Sequence, residues 1–165
     1  MKTYYFILLM VVTFGYVQDA VAMSMADPIT VAMMNSLAQD EIPTESMCPD
    51  NYKAIAQIKV QAVRSQMALS PVLIGKLPDP HSAVGIEDLL VEHCQKNEDI
   101  KKIGESLSEN VQKCLTGKSN ISSDKLEKLK TDSVTITCAG ASSMVSWDIM
   151  NRNIAEGRTP DGKLP

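Results

Sequence analysis

Aromatic residues are scarce in this sequence: they make up 4% of its 165 residues, whereas apolar residues as a whole make up 44%. A core with few aromatic rings has to be built from Leu, Ile, Val, Ala and Met, which suits packed helices better than aromatic-rich strands. A chain of this length forms one compact domain and is too short for two of ordinary size. With 22% charged residues, its composition is that of a globular protein.

The chain also lacks a surplus of positive charge and a long hydrophobic segment. Its formal net charge is −4, and an acidic surface repels phosphate backbones, which argues against a nucleic-acid partner. The longest apolar run, residues 6–14, is much shorter than the ~20 residues that a membrane-spanning helix needs. We therefore predict no membrane span.

Motifs that mark catalytic or metal centres are missing as well. The two histidines, His81 and His93, form no His-x-x-x-His pair, and no Cys-x-x-Cys spacing occurs. There is no Gly-x-Ser-x-Gly nucleophile elbow, no glycine-rich phosphate loop and no dinucleotide fingerprint. Acidic pairs such as Glu105 and Glu109 are typical of solvated helix faces. We predict no metal, no cofactor and no enzymatic activity; a small hydrolase would need His81 or His93 close to a serine and a carboxylate.

Residues 1–22 have the features of a secretory signal peptide. Lys2 supplies the positive start, residues 6–14 supply the apolar run, and Ala20-Val21-Ala22 is a small-x-small cleavage site. The alternative, an uncleaved membrane anchor, is disfavoured by the short apolar run. We therefore expect a secreted, extracellular protein.

Export changes the interpretation of the four cysteines, Cys48, Cys94, Cys114 and Cys138. An even number in an oxidising compartment favours two disulfides over free thiols. If Cys94 and Cys114 lie on one continuous helix, they are ~30 Å apart, whereas a disulfide tolerates only ~7 Å between Cα atoms. Of the two remaining pairings we prefer Cys48–Cys94 with Cys114–Cys138. The alternative is Cys48–Cys114 with Cys94–Cys138.

The strongest helical pattern covers residues 86–115. Apolar residues recur there every three or four positions, and this spacing places both Cys94 and Cys114 on the buried stripe. In the middle, Asn97 is followed by Glu98 and Asp99, which is how a helix begins. The stretch is therefore one long helix or two helices that meet at Asn97.

Two helix patterns precede this stretch. Asp27 followed by Pro28 is a helix start, and we interpret the methionine-rich residues around it as helix packing or a loosely ordered N-terminus, with an interaction patch as the alternative. A longer helix is expected from Asp50 to about Leu69, because Ser70-Pro71 should end it.

Further helices are expected after the central stretch. Asp124 and Glu127 form a capping box that starts one of them. Residues 133–138 alternate like a short strand, but without a neighbouring partner strand we predict a helix. An apolar face then continues in a last helix, at Met144, Trp147 and Ile154.

These patterns predict an all-α fold, a small disulfide-stapled bundle of four to five helices. The single helical domain covers residues 23–156, and residues 157–165 have the composition of a disordered tail. Asn120-Ile121-Ser122 is an acceptor triplet for N-glycosylation in a polar turn. We expect Asn120 to carry a glycan.

The central stretch also resembles a known family. Cys94-Gln95-Lys96-Asn97, a helix, and then KCLTG at residues 113–117 resemble the C-x-K-N … C-L-x-G start of the secreted insect haemolymph glycoproteins of the twenty-seven-kilodalton type. The resemblance covers about 30 of the 165 residues, and members of that family are longer and have many more cysteines. It implies a circulating, helical, non-enzymatic glycoprotein and supplies no catalytic residues. The insect odorant-binding proteins fit worse, because their later cysteines are spaced more widely.

Two functions are consistent with these features. The first is a secreted binding or circulating protein that encloses a hydrophobic small molecule between its helices. The second is a secreted effector, for instance salivary, venom or immune-related, that acts on an extracellular protein through an exposed apolar patch.

Overall fold

The computed structural model describes residues 27–37, 41–116 and 121–164, and the regular structure within these ranges is helical, without a strand. The prediction of an all-α, disulfide-bearing bundle is confirmed. Five of the helices have nine residues or more, and the first and sixth are shorter. The helices are α1 (Pro28–Met34), α2 (Pro49–Ile74), α3 (Ile86–Lys96), α4 (Glu98–Leu115), α5 (Ser123–Thr131), α6 (Ser133–Thr137) and α7 (Ala141–Ala155).

The 26-residue α2 continues through Pro71, so the prediction that it ends at Ser70-Pro71 was wrong. A proline inside a helix costs about 3 kcal/mol. That cost is offset because the last turn of α2 is packed in the interior, with Leu73 at 0% and Ile74 at 2% exposure. Ser70, also fully buried, donates a hydrogen bond to the carboxylate of Asp148 in α7.

Residues 86–115 form two helices that meet at Asn97, which was one of the two alternatives predicted from the sequence. Asn97 has extended backbone angles (φ −82°, ψ 110°) and ends α3. Its side-chain oxygen accepts hydrogen bonds from the backbone N–H groups of Asp99 (3.0 Å) and Ile100 (3.1 Å). The same residue therefore caps the start of α4.

The buried apolar side chains form two clusters. Core A joins α1, the first half of α2, the second half of α4, α5 and α6; its fully enclosed members include Met33, Ala62, Leu107 and Val111. Core B joins the end of α2, α3 and α7; its members include Leu73, Leu90, Val145 and Ile149. Helix α2 contributes fully buried residues to both clusters, Ala62 to core A and Leu73 to core B.

A polar layer on α2 separates core A from core B. Gln66 and Ser70 lie between Ala62 of core A and Leu73 of core B, and both are 0% exposed. The Gln66 amide nitrogen donates to the backbone carbonyls of Thr137 (2.5 Å) and Ala139 (3.1 Å). These carbonyls end α6, where a helix leaves its last C=O groups without intrahelical partners. Gln66 therefore ties α2 to the turn between α6 and α7.

Close backbone packing joins α4 to α6. A Cβ atom at Gly104 would lie 3.0 Å from the carbonyl carbon and oxygen of Ser133. Any side chain at position 104 would therefore push the two helices apart.

Residues 157–164 form a folded turn, in place of the disordered tail that their composition predicts. Thr159 donates its backbone N–H to the Lys163 carbonyl at 2.9 Å. The buried Asn153 donates its side-chain amide to the carbonyls of His81 (2.9 Å) and Pro160 (3.2 Å). Asn153 therefore holds both the tail and the connection before α3 against the end of α7.

Candidate functional site: two disulfides and an exposed apolar face

The structure pairs Cys48 with Cys114 and Cys94 with Cys138, at Cα–Cα distances of 5.3 and 6.4 Å. The preferred pairing, Cys48–Cys94 with Cys114–Cys138, was wrong, and the alternative pairing is correct. The reason is helix direction, since α2 and α4 pack antiparallel. The start of α2 therefore meets the end of α4, where Asn51 also donates a hydrogen bond to Asn110 (3.4 Å).

Each disulfide belongs to one of the two cores. Cys48 and Cys114 are members of core A, at 5% and 0% exposure. Cys94 is a member of core B at 4% exposure, and the half-buried Cys138 packs against the edge of that cluster. The prediction of two disulfides is therefore confirmed: Cys48–Cys114 joins the start of α2 to the end of α4, and Cys94–Cys138 joins α3 to the turn between α6 and α7.

The helix α7 is apolar on two opposite faces. Its inner face is buried and consists of Ala141, Val145, Ile149 and Asn153. Trp147 and Ile154 are 62% and 53% exposed. At 3.6 residues per turn, Trp147 points about 160° away from Val145 and Ile149. We call Trp147 and Ile154, together with the half-buried Met144 and Met150, the outer face of α7.

The sequence placed Met144, Trp147 and Ile154 on one face of the last helix, and this grouping is confirmed. The expectation that the face continues the buried one was wrong for Trp147 and Ile154. The inner face could not be recognised because Asn153, which is fully buried, interrupts its apolar pattern. Because α7 has apolar residues on two opposite faces, its pattern does not indicate which face is buried.

Only part of the methionine-rich N-terminal region lies within the described residues, which begin at Asp27. Met33 is 1% exposed in core A, and Met34 is half-buried against it, which is helix packing as predicted. Residues 1–26 lie outside the described residues, and so does the predicted signal peptide.

The predicted glycosylation residue, Asn120, also lies outside the described residues. Its neighbours in the triplet are described: Ile121 packs against core A, and the Ser122 side chain accepts a hydrogen bond from the Lys125 backbone at the start of α5. The occupancy of Asn120 stays a prediction.

The two histidines lie at separate places. His81 Nδ1 lies 2.9 Å from the side-chain oxygen of Asn153 and 3.5 Å from the Glu156 carboxylate. His93 Nε2 lies 2.7 Å from the Lys76 ammonium. Neither has a serine among its hydrogen-bond partners within the described ranges.

The acidic helix residues form surface pairs. Glu92 pairs with Lys96 at 2.8 Å, and this hydrogen bond holds the pKa of Glu92 below its usual value. Glu87 accepts a hydrogen bond from Ser142 at 2.7 Å, which joins α3 to α7. Glu109 lies 3.9 Å from Lys113. Glu87, Glu92, Glu105 and Glu109 are all exposed, which confirms the prediction that these acidic residues lie on solvated helix faces.

A buried ion pair that the sequence did not reveal lies between α1 and α2. Lys59 Nζ is 3.0 Å from Asp27 Oδ2, and their side chains are 9% and 6% exposed. Asp27 also caps α1 by accepting from the Thr30 backbone (2.9 Å) and hydroxyl (2.7 Å), and Lys59 donates to the same hydroxyl. Lys59 was unrecognisable as a buried residue because its partner is 32 positions away.

Two kinds of site are missing from the described residues. No group of three or more His, Cys, Asp or Glu side chains in residues 27–37, 41–116 and 121–164 could hold a metal ion. In the same ranges, every helix is too short or too polar to cross a membrane.

Comparison with known proteins found no match: no protein-family model, no curated protein and no solved structure matches the chain. The resemblance to the haemolymph glycoproteins therefore stays a prediction carried by residues 94–117.

Proposed function

We propose that this chain is a secreted, non-enzymatic glycoprotein that acts by binding another extracellular protein through the outer face of α7. The single observation that carries the proposal is the exposure of Trp147, the only tryptophan of the chain, which is 62% accessible on a well-formed helix. The two disulfides and the signal-peptide features support export.

A large apolar ring left in water gives up favourable burial energy. Tryptophan is also enriched among the residues that dominate binding energy at protein interfaces. On α7 it lies one turn from Met150 and two turns from Ile154, so these apolar side chains share one side of the helix. Such a surface is typical of a helix that docks in the groove of a partner.

A second candidate is the carrier of a hydrophobic small molecule. One observation favours it: within the described ranges, the side-chain oxygen of Gln66 is buried and has no hydrogen-bond partner. It lies between the aliphatic cores A and B, where an apolar ligand with a hydroxyl group could donate to it.

The full chain, expressed in a secretory host, tests export first. We expect a mature protein that begins at Met23 and carries an enzymatically removable glycan at Asn120. A retained leader peptide or an unmodified Asn120 would contradict those parts of the proposal.

Binding is then tested with matched variants in fluid from the source tissue. Trp147→Glu should abolish crosslinking to the partner, whereas Val31→Glu, at an apolar position with 50% exposure on α1, should leave it intact. Equal crosslinking by both variants would refute the role of α7. Native mass spectrometry of the same preparations decides the carrier alternative, since a co-purifying apolar ligand, lost in Gln66→Leu, would favour it.

A further inference from the structure

The two disulfides differ in their accessibility to a reductant. In the Cys48–Cys114 bridge, both residues are nearly inaccessible, at 5% and 0% exposure. In the Cys94–Cys138 bridge, only Cys94 is buried, at 4%, and Cys138 lies in the turn after α6 with intermediate exposure. Thiol–disulfide exchange requires direct attack on a sulfur atom, so access to Cys138 favours this bridge.

The elements that each bridge holds also differ. The Cys48–Cys114 bridge lies in core A, which has fourteen buried members, whereas core B has nine. Apart from core B itself, α3 is held to α7 by the exposed hydrogen bond between Ser142 and Glu87. Small clusters with few buried contacts open at lower free energy than large ones.

We infer that Cys94–Cys138 is a redox-sensitive bridge that controls the docking of α3 on α7, while Cys48–Cys114 persists as a structural bridge. A small-molecule thiolate attacks Cys138 Sγ, forms a mixed disulfide and breaks the bond to Cys94 Sγ, which leaves as a thiolate and takes a proton from water. A second thiolate attacks the reductant sulfur of the mixed disulfide and releases Cys138 as a thiolate, which is also protonated. The two small thiols are oxidised to one disulfide, and the protein bridge is reduced by two electrons.

The consequence is that α3 loosens from α7. The inner residues of core B, such as Leu90 and Val145, then become accessible beside the outer face of α7. This inference does not depend on the proposed function, because it concerns the bridge and the helix that it holds.

Stepwise reduction of the folded wild-type protein tests the inference. Samples treated with increasing dithiothreitol are quenched in acid, alkylated and mapped by mass spectrometry. We expect Cys94 and Cys138 to be alkylated together, at least about tenfold faster than Cys48 and Cys114. Faster reduction of Cys48–Cys114, or equal rates for all four cysteines, would overturn the inference.

Hydrogen exchange of the half-reduced species tests the conformational part. Protection should fall in residues 86–96 and persist in α4 and in the first half of α2. Unchanged protection of residues 86–96 would refute control of α3 docking. The Cys94→Ser/Cys138→Ser double variant should reproduce the exchange pattern; if it does not fold, the half-reduced wild type still gives the answer.

Discussion

Core A and core B are built from the same kinds of residue, yet they differ in how completely they are enclosed. Core A is surrounded by five helices and contains a disulfide whose two cysteines are both buried. Core B has three helices, a half-buried cysteine at its edge and a helix, α7, whose outer face is apolar and exposed. The comparison indicates that core A is the more completely enclosed of the two clusters.

The largest expected effect comes from the ion pair that fixes α1 to core A. Asp27→Asn keeps a side chain that can cap α1 but leaves the buried Lys59 ammonium without its carboxylate. Removal of one partner from a buried pair costs about 3–5 kcal/mol. Urea denaturation should show that loss, and Asp27→Asn/Lys59→Met should recover most of it. A loss of unfolding free energy below about 1 kcal/mol, which is what an exposed ion pair contributes, would contradict the burial of this pair.

Matched truncations compare the two cores directly. Leu107 in core A is 1% exposed and Leu90 in core B is 6% exposed. Substitution of a buried Leu by Ala costs about 2–5 kcal/mol, depending on how far the site can collapse. We expect Leu107→Ala near the upper end of this range and Leu90→Ala near the lower end, in the same denaturation assay. A greater loss for Leu90→Ala would reverse the comparison.

The contact between α4 and α6 tests packing within core A. In an open helix position, Gly→Ala stabilises by roughly 0.5–1 kcal/mol. At Gly104 the added Cβ would meet the Ser133 backbone at 3.0 Å, and overpacking typically costs about 1–3 kcal/mol. We therefore expect Gly104→Ala to lower the thermal midpoint. A rise in the midpoint would show that the two helices separate without cost.

The smallest effect concerns the surface around core A. A hydrogen bond from Lys128 holds the pKa of Asp132 below its usual value of 3.8. A lowered carboxyl pKa adds stability above the unfolded-state pKa, and this stability is lost as the pH falls through the folded-state pKa. The gain is a few tenths of a kcal/mol because the Asp132 side chain is 36% exposed. Asp132→Asn should remove this part of the pH dependence between about pH 5 and 2, measured as thermal midpoints; an unchanged pH profile would contradict the pairing.

Local chemistry in the sequence was sufficient to predict where several helices begin. Asn97 followed by two acids marked the start of α4, and the lack of a partner strand correctly favoured a helix at residues 133–137. The end of α2 could not be predicted, because packing of Leu73 and Ile74 outweighs the local effect of Pro71.

The candidate site was harder to predict, because it depends on contacts between residues that are far apart in the sequence. The disulfide pairing is set by the antiparallel packing of α2 and α4, which spacing alone does not reveal. The inner face of α7 is concealed by Asn153, whose burial depends on the carbonyl groups of His81 and Pro160. Trp147 was recognised as part of an apolar face, but the direction of that face is a property of the whole fold.

Non-reducing peptide mapping of the secreted protein tests the central claim, that each core has its own disulfide, most directly. The account predicts one linked peptide pair containing Cys48 and Cys114 and a second containing Cys94 and Cys138. Linkage of Cys48 to Cys94, or four alkylatable thiols in protein collected outside the cell, would contradict it.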